Sequence, residues 1–266
     1  MPSPAPLPER WSQPVVEPEC PPGWATGPPD FVGVGAQRAG TSWWYAGAIR
    51  SHPEVAEAPD RGKETHFFDR YWMDEPAADF AERYARLFPR PAGAITGEWT
   101  PRYMHDPWTL RLLAEAAPEA RILILLRDPL ERYRSGIAWA IERSRQRGLE
   151  QPNIASVGDA IARSLYQRQV GRAFELFGRE RVLVLQHERC VADPVAEMQR
   201  TQRFLGIEPA ADASPRLRRE KRSKRSKPEL PAAFRDELRE LMRDDARRLA
   251  ALCPEIDISL WPSVET

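Results

Sequence analysis

A loop of small and polar residues, Gly35 to Ser42 (GAQRAGTS), lies between a predicted strand and a predicted helix. A tight turn at this junction points several backbone N–H groups at one spot, and the start of the helix adds partial positive charge. Small residues let a phosphate approach the backbone, two hydroxyl groups add donors, and one arginine adds a cation. The residues predicted to bind phosphate are Gln37, Arg38, Ala39, Gly40, Thr41 and Ser42. An ordinary glycine-containing turn is the alternative interpretation.

A second candidate phosphate site follows the most apolar segment of the chain, Arg121–Leu126 (RILILL). Arg127 comes at its carboxyl end, where open α/β sheets bind ligands. Ser135 lies about two turns along the helix predicted next, so the two side chains could close on a single phosphate. The alternative is that Arg127 pairs with Asp128 or Glu131, and that Ser135 has no special role.

A third motif, Lys63 to Asp69 (KETHFFD), contains groups suited to proton transfer. A hydroxyl that attacks in line needs a base, and a carboxylate desolvated by aromatic rings can have its pKa raised into a useful range. Glu64 is the predicted general base, because Phe67 and Phe68 are close in sequence. His66 is predicted to orient this carboxylate, share the proton or bind substrate. The alternative is a surface Lys–Glu pair followed by two core phenylalanines.

The phosphate loop resembles the P-loop of nucleoside triphosphate enzymes, G-x-x-x-x-G-K-[ST], except that Thr41 stands where the lysine belongs. An ATPase or kinase would lose the lysine that reaches the β- and γ-phosphates. The loop is therefore predicted to bind a phosphate without running triphosphate chemistry. A small-molecule kinase with a degenerate loop and a non-catalytic nucleotide-binding module are the alternatives. The intact Glu64 and His66 speak against the second.

The loop and the segment R-D-P-x-x-R-x-x-S-G after the RILILL strand together resemble sulfotransferases that use 3′-phosphoadenosine 5′-phosphosulfate (PAPS). The resemblance implies that the loop holds the 5′-phosphosulfate, and that Arg38, where the family usually has lysine, neutralises the leaving oxygen. It also implies that Arg127 and Ser135 bind the 3′-phosphate. Lys224 and Arg225 look similar to the late basic loop with which the family closes over the cofactor. The product would be 3′,5′-ADP, and no metal is expected to be required.

Two blocks, K-E-x-H-F-F-D and the G-E-x-T-P-x-Y of residues 97–103, resemble the heparan-type glucosaminyl sulfotransferases and their bacterial relatives. This branch implies Glu64 as catalytic base, with Arg38 and His66 as further catalytic residues. The positions implied for acceptor binding are Lys63, Asp69, Trp99 and Tyr103. The glycan enzymes often carry lysine where this chain has Trp99. An indole offers a stacking surface instead, which favours a ring-bearing small molecule over a long anionic glycan.

The elements that must position these groups alternate between strands and helices. Strands are predicted at 31–35, 55–58, 94–98, 121–126 and 182–186, and helices at 41–50, 77–88, 108–117, 130–143, 155–177, 194–205 and 234–252. With the resemblance, this alternation predicts the α/β class, as a P-loop-like three-layer fold with a mostly parallel central sheet flanked by helices. Residues 1–30 carry ten of the 27 prolines and are predicted to form an extended arm, and residues 31–266 a single sulfotransferase domain.

Composition limits the classes of partner. The 266 residues include 39 Lys and Arg and 39 Asp and Glu, so the formal net charge is zero. A global polycation is excluded, and nucleic-acid binding through the basic run at 216–227 is disfavoured because the charge is confined to one stretch. No apolar run approaches the roughly 18 residues of a membrane span. Three scattered cysteines fit a reducing cytoplasm. The expected acceptor is a small-molecule or sugar-containing hydroxyl or amine, and the oligomeric state stays open.

Overall fold

Residues 15–58, 61–218 and 226–264 are described by the computed structural model. The strands are β1 (Trp24–Thr26), β2 (Phe31–Gly35), β3 (Pro89–Pro91), β4 (Gly97–Trp99), β5 (Arg121–Leu126) and β6 (Val182–Gln186). Four of them form a parallel sheet in the order β4-β2-β5-β6, and β1 pairs with β3 in a separate antiparallel ladder. The prediction of a mostly parallel sheet flanked by helices is confirmed.

The helices lie between these strands and after them. They are α1 (Thr41–Trp44), α2 (Phe80–Ala85), α3 (Thr109–Ala116), α4 (Pro129–Arg145), α5 (Ile154–Ala162), α6 (Gln167–Phe177), α7 (His187–Ala192), α8 (Pro194–Leu205), α9 (Pro215–Arg218) and α10 (Ala232–Leu252). A π-helical turn, Tyr45–Ile49, continues α1, and short 3-10 turns lie at Arg179–Arg181 and Ile258–Leu260. The segment predicted as one helix over 41–50 is therefore helical but changes hydrogen-bond pattern after Trp44.

The centre of the sheet explains why the RILILL segment is apolar on both sides. All residues of β5 after Arg121 are buried, and β5 pairs with β2 on one side and β6 on the other. Strands covered by helices on both faces have this continuous apolar pattern. Because β2 and β5 are parallel neighbours, the loop that follows β2 and the residues that follow β5 emerge at the same edge of the sheet.

The prediction of one long helix over residues 155–177 is wrong. The chain forms α5 and α6 with a break between them, because the backbone N–H groups of Tyr166 and Gln167 bond to the Asp245 carboxylate of α10, at 2.6 and 3.1 Å. The amphipathic spacing of the sequence runs across this break and cannot show it. The strand predicted at 55–58 is also reduced, to an isolated bridge between Val55 and Ile95.

The described part of the proline-rich arm packs on the domain. β1 pairs with β3 in the register Trp24↔Pro91, and the Glu17 carboxylate accepts a hydrogen bond from Arg86 at 2.8 Å. Within the described ranges, no helix is both long and apolar enough to cross a membrane. The domain boundary at residue 30 stays a prediction.

Candidate active site

The loop between β2 and α1 turns through two residues with left-handed backbone, Arg38 (φ 72°) and Gly40 (φ 99°). A Cβ atom at position 40 would lie 2.9 Å from Nδ1 of His187, so both the backbone and the available space require glycine. A non-glycine residue in this region costs about 1 kcal/mol, and such strain collects at functional sites. The loop is therefore held in one unusual shape between β2 and the first residue after β6.

Arg38 joins the two predicted phosphate motifs directly. Its Nε atom donates a hydrogen bond to the Ser135 hydroxyl, with 3.3 Å between the heavy atoms. Ser135 lies on the buried face of α4, the helix that follows β5, and is 5% exposed. Motifs that are 97 residues apart in sequence thus meet at a single polar contact.

Arg127 lies between the end of β5 and the start of α4, as predicted. Its carbonyl accepts a hydrogen bond from the Tyr166 hydroxyl at 2.9 Å, and Asp128 caps α4 by accepting from the Glu131 N–H at 3.0 Å. The Arg127 guanidinium faces the Glu131 carboxylate at 3.8 Å, so the pairing weighed as an alternative is present as a long contact.

The Glu131 carboxylate gathers other cations beside Arg127. It pairs with Arg134 at 2.9 Å and with Lys227. Arg134 also donates to the Pro228 carbonyl at 3.3 Å, so the chain directly after the basic run is held against α4.

Sequence reasoning chose Lys224 and Arg225 from this basic run, and both lie outside the described residues. It missed Lys227, although this lysine belongs to the same run and precedes a proline. The nearness of Lys227 to the Arg127 site follows only from the packing of residues 227–228 on α4.

The last described residues support Arg127 from behind. Trp261 is fully buried, and its indole N–H donates to the Glu188 carboxylate at 2.9 Å. Ser263 donates from its backbone N–H to Asp128 at 3.2 Å and from its hydroxyl to the same carboxylate. Glu188 in turn accepts from the Asp128 N–H at 3.0 Å. The residue that caps α4 is therefore fixed by the tail and by α7.

The KETHFFD segment reaches the phosphate loop through its lysine. The Lys63 ammonium donates to the Thr41 hydroxyl at 3.3 Å and pairs with Glu64 at 2.9 Å. His66 lies between two carboxylates, with Nε2 3.0 Å from Glu64 and Nδ1 2.6 Å from Asp69. The segment thus forms a chain of charges from the loop to the buried Asp69.

These contacts set the protonation states of Lys63, Glu64 and His66. Burial alone would raise the pKa of the Glu64 carboxyl, but the hydrogen bond from His66 and the charge of Lys63 lower that pKa to about 2. Burial alone would lower the pKa of His66, yet its hydrogen bonds to Asp69 and Glu64 raise that pKa to about 9. Burial lowers the pKa of Lys63, and Glu64 offsets part of this effect. At neutral pH Glu64 is anionic and His66 is cationic.

The expected effect of the phenylalanines on Glu64 is wrong. Phe67 and Phe68 point into the core, 2% and 0% exposed, where their rings contact each other and Tyr84. His66, between Glu64 and the two rings in sequence, has a left-handed backbone with φ 51°. Glu64 therefore lies among charged partners rather than aromatic rings, and its pKa falls instead of rising.

A fully buried carboxylate that sequence reasoning missed holds this segment in place. Glu98 accepts hydrogen bonds from the backbone and hydroxyl of Thr65, at 2.9 and 2.7 Å. Further donors to it are the hydroxyl groups of Tyr84 at 2.7 Å, Thr100 at 2.5 Å and Tyr103 at 3.4 Å. The residue between Glu64 and His66 is thereby fixed. The G-E-x-T-P block was its only signal in the sequence.

Three of the residues predicted for acceptor binding are buried. The interpretation of Trp99 as a stacking surface does not fit, because its side chain is 0% exposed and its indole N–H donates to the Gly35 carbonyl at 3.1 Å. Tyr103 is also fully buried, and its hydroxyl accepts from the Phe67 N–H at 2.8 Å. Asp69 is 1% exposed and contacts His66. These three residues support the segment from within, and Lys63 is the member that reaches the loop.

The sequence of this chain is similar to that of a known protein family. A sequence profile described as "Sulfotransferase family" matches residues 64–213, more than half of the chain. The chain belongs to the sulfotransferase family. The profile begins at the predicted base and includes both Arg127 and Ser135, whereas the phosphate loop lies before it.

Curated relatives of this sulfotransferase family member include heparan sulfate glucosamine 3-O-sulfotransferase 6 from Mus musculus, 30% identical over 190 residues. The protein of the same name from Homo sapiens is 28% identical over 190 residues. Each match covers 67% of this chain and 52% of the relative, so the chain spans about half the length of the curated relatives it matches. The predicted likeness to heparan-type enzymes is confirmed.

Solved structures agree on the fold. The sulfotransferase from Alicyclobacillus acidocaldarius is 27% identical, with a TM-score of 0.62 over 88% of this chain and 98% of that one. The sulfotransferase domain from the curacin biosynthetic pathway is 13% identical, with a TM-score of 0.52 over 75% of this chain and 80% of that one, a likeness of fold. The P-loop-like fold predicted from the alternation of strands and helices and from the resemblance is confirmed.

Proposed function

We propose that this protein transfers a sulfuryl group from PAPS to a hydroxyl or amine of a small-molecule or sugar-containing acceptor. The observation that carries the proposal is the convergence of three motifs at the phosphate loop. Arg38 contacts Ser135, and Lys63 of the acceptor-side segment contacts Thr41. The two motifs predicted to bind phosphate and the segment of the predicted base therefore contact one another, which supports the proposal.

The donor set fits a nucleotide with phosphates at both ends of its ribose. Arg38, Thr41 and Lys63 would hold the 5′-phosphosulfate, while Arg127 and Ser135 would hold the 3′-phosphate. Lys227 lies close enough to Glu131 to join the second group. Among the described residues, no cluster of three or more His, Cys, Asp or Glu side chains could hold a metal ion. That the reaction needs no metal stays a prediction.

The transfer balances with the residues at hand. The acceptor oxygen forms a bond to sulfur, and the bond from sulfur to the bridging phosphate oxygen breaks, with its electron pair passing to that oxygen. Arg38 stabilises this charge, and the acceptor proton passes to Glu64. A carboxylate of low pKa suffices, because a hydroxyl becomes strongly acidic as its oxygen bonds to sulfur. An anion at Thr41 also attracts the Lys63 ammonium. Lys63 then stabilises the Glu64 carboxylate less, so the pKa of Glu64 rises.

His66 and Asp69 position the base in this proposal. Asp69 is buried and fixes the orientation of the imidazolium through its contact with Nδ1. The other ring nitrogen, Nε2, then holds the Glu64 carboxylate. A non-catalytic binding module would have no need for this buried arrangement. The kinase alternative still lacks its lysine, since Thr41 occupies that place and Lys63 reaches the loop from another segment.

The acceptor class and the location in the proposal are supported by two further observations. The relatives' names specify heparan sulfate glucosamine, which supports a sugar-containing acceptor, but the chain spans only about half of their length, so we propose the wider class of small-molecule or sugar-containing hydroxyls and amines. Cys20, Cys190 and Cys253 are unpaired in the described structure, which supports a reducing, cytoplasmic compartment.

The direct test combines binding and transfer. Calorimetry should give tight binding of 3′,5′-ADP, weaker binding of 5′-AMP, and poor binding of ATP with magnesium. Transfer of labelled sulfate from PAPS to a metabolite panel should then identify an acceptor. Tight magnesium-dependent binding of ATP, with no binding of 3′,5′-ADP, would replace the proposal with the kinase alternative.

A further inference from the structure

Arg132 is an arginine whose whole side chain lies inside the protein, 1% exposed. It lies on α4 between Arg127 and Ser135, and its guanidinium contacts the phosphate loop from behind. Its Nη1 atom donates to the Gln37 carbonyl at 3.3 Å. The Nε and Nη2 atoms donate to the Ser164 hydroxyl at 2.8 Å and the Ala160 carbonyl at 2.7 Å. All three acceptors are neutral.

The charge of Arg132 has no ion pair in the described part of the chain. Asp159, the carboxylate that acts on it electrostatically, pairs with Arg163 at 2.8 Å. Arg38 and Arg163 act on it as like charges. Burial lowers the pKa of Arg132 to about 10, so the group stays cationic at neutral pH. A buried charge without a counter-ion carries a large desolvation penalty even after relaxation.

The Gln37 contact connects Arg132 to the phosphate loop. A trans peptide unit carries its carbonyl and the next N–H on opposite sides, so the bond to the Gln37 carbonyl also fixes the direction of the Arg38 N–H. The loop that receives this bond contains Arg38 and Thr41, the residues assigned above to the 5′ end of the donor. An anion held by the Arg38 N–H would lie on the other side of this peptide, so it would attract the buried guanidinium across the loop without contacting it.

We propose that Arg132 is a positioning residue of the donor site, and that the 5′-phosphate group of the bound nucleotide supplies its missing counter-charge. This inference rests on the proposed function. It assigns to Arg132 a role in the free energy of nucleotide binding rather than in the stability of the free protein. Replacing a purely structural arginine would lower the stability of the protein and leave its affinity for nucleotides unchanged.

The test compares Arg132→Met with Arg145→Met, which removes an exposed arginine from the last turn of the same helix. Arg132→Met removes a buried charge but also leaves three acceptors without this donor, so the melting temperature of the free variant serves to show that it folds, and nucleotide affinity is the deciding measurement. The dissociation constants of Arg132→Met for 3′,5′-ADP and 5′-AMP should rise about tenfold or more, as for the loss of a charged contact. The constant for 3′-AMP should change by less than about threefold. Arg145→Met should leave all three constants unchanged.

Arg132→Lys keeps the charge but cannot reach three acceptors in a fork. Its constant for 5′-AMP should lie between those of wild type and Arg132→Met, and this variant decides the question if Arg132→Met does not fold. A folded Arg132→Met with wild-type nucleotide affinities would overturn the inference, as would wild-type affinities in Arg132→Lys if it alone folds. Equal losses for 3′-AMP and 5′-AMP would also contradict it. If wild type itself binds neither 5′-AMP nor 3′,5′-ADP, the proposed function fails and this inference falls with it.

Discussion

The ammonium group of Lys63 lies 3.3 Å from the hydroxyl of Thr41, and this contact joins the acceptor-side segment to the phosphate loop. The same ammonium pairs with Glu64 at 2.9 Å. A charge placed on the loop is therefore felt by Glu64 through one intervening side chain. Binding of an anionic donor and the basicity of Glu64 are coupled by this arrangement.

Replacing Glu64 by glutamine should remove most turnover. The amide keeps the shape but cannot accept a proton, and general-base catalysis is worth about 100-fold or more. Steady-state rates with PAPS and a panel acceptor should fall by this factor, while calorimetry with 3′,5′-ADP gives a near-normal affinity. Glu115→Gln, at an exposed site on α3, is the control and should be fully active. Unchanged turnover in Glu64→Gln would show that another group is the base.

Arg127→Ala should weaken binding of 3′,5′-ADP far more than binding of 5′-AMP. The guanidinium at the end of β5 is assigned to the 3′-phosphate, and losing a charged contact of this kind costs about 1.5–3 kcal/mol, or at least about tenfold in affinity. Arg111→Ala, which removes an exposed arginine of α3, should change neither affinity. Equal losses for the two nucleotides would refute the assignment.

The histidine of the acceptor segment should make stability depend on pH. The pKa of His66 is about 9 in the folded protein and about 6.5 when unfolded, so its charge stabilises the fold fully below the lower value. That contribution is lost as the pH rises towards about 9, the pKa of His66 in the folded protein. The difference in unfolding free energy between wild type and His66→Gln, measured with urea, should therefore shrink between pH 6 and 9.5, roughly the span of the two pKa values.

An NMR titration gives a direct check on the same group. The His66 imidazole should titrate near pH 9 in wild type. In Asp69→Asn it should titrate lower, because the hydrogen bond to Asp69 is the largest influence that raises its pKa. A wild-type titration at the ordinary value for histidine would mean that the two carboxylates do not hold the ring in solution.

Glu98→Gln should destabilise the protein and slow turnover together. The amide cannot accept all the hydrogen bonds that the carboxylate accepts, so buried donors of Thr65 and Thr100 lose partners. Each unsatisfied buried group costs about 1–3 kcal/mol, which urea denaturation would measure. Affinity for 3′,5′-ADP should stay near normal in the folded fraction. A variant that is equally stable would show that Glu98 does not organise the segment.

Trp261→Ala should loosen the donor site from a distance. Removing a buried tryptophan costs about 3–5 kcal/mol of stability, and here it also frees Glu188 from its indole partner. Because Glu188 and Ser263 both hold Asp128, which follows Arg127 in sequence, the dissociation constant for 3′,5′-ADP should rise as well. Leu260→Ala, at the neighbouring exposed position, should change both quantities much less. A loss of stability with no change in affinity would separate the tail from the donor site.

The sheet and both anion motifs could be predicted from sequence because their signals are local. The strands over 121–126 and 182–186 are continuous apolar runs, and the structure gives them the same bounds. The loop after β2 and the residues after β5 follow such runs directly. Parallel pairing of neighbouring strands then brings Arg38 and Ser135 together with no further information.

The charge states and buried supports could not be predicted, because they depend on contacts between distant segments. The pKa of Glu64 depends on His66 having a left-handed backbone and on the direction of Lys63. Arg132 finds its acceptors only because the chain breaks after α5, where Asp245 of the last helix caps α6. Helical periodicity contains neither fact.

The packing of Trp99 against β2 has a consequence for engineering and descent. A Cβ atom at Gly33 would lie 2.0 Å from the indole ring. The tryptophan at position 99 therefore fits only while position 33 has no side chain. A lysine at position 99 would leave a void beside the strand and place an ammonium group in the buried layer. Moving the larger side chain from position 99 to position 33 therefore requires two coordinated substitutions, and a path through either single change passes through a less stable protein.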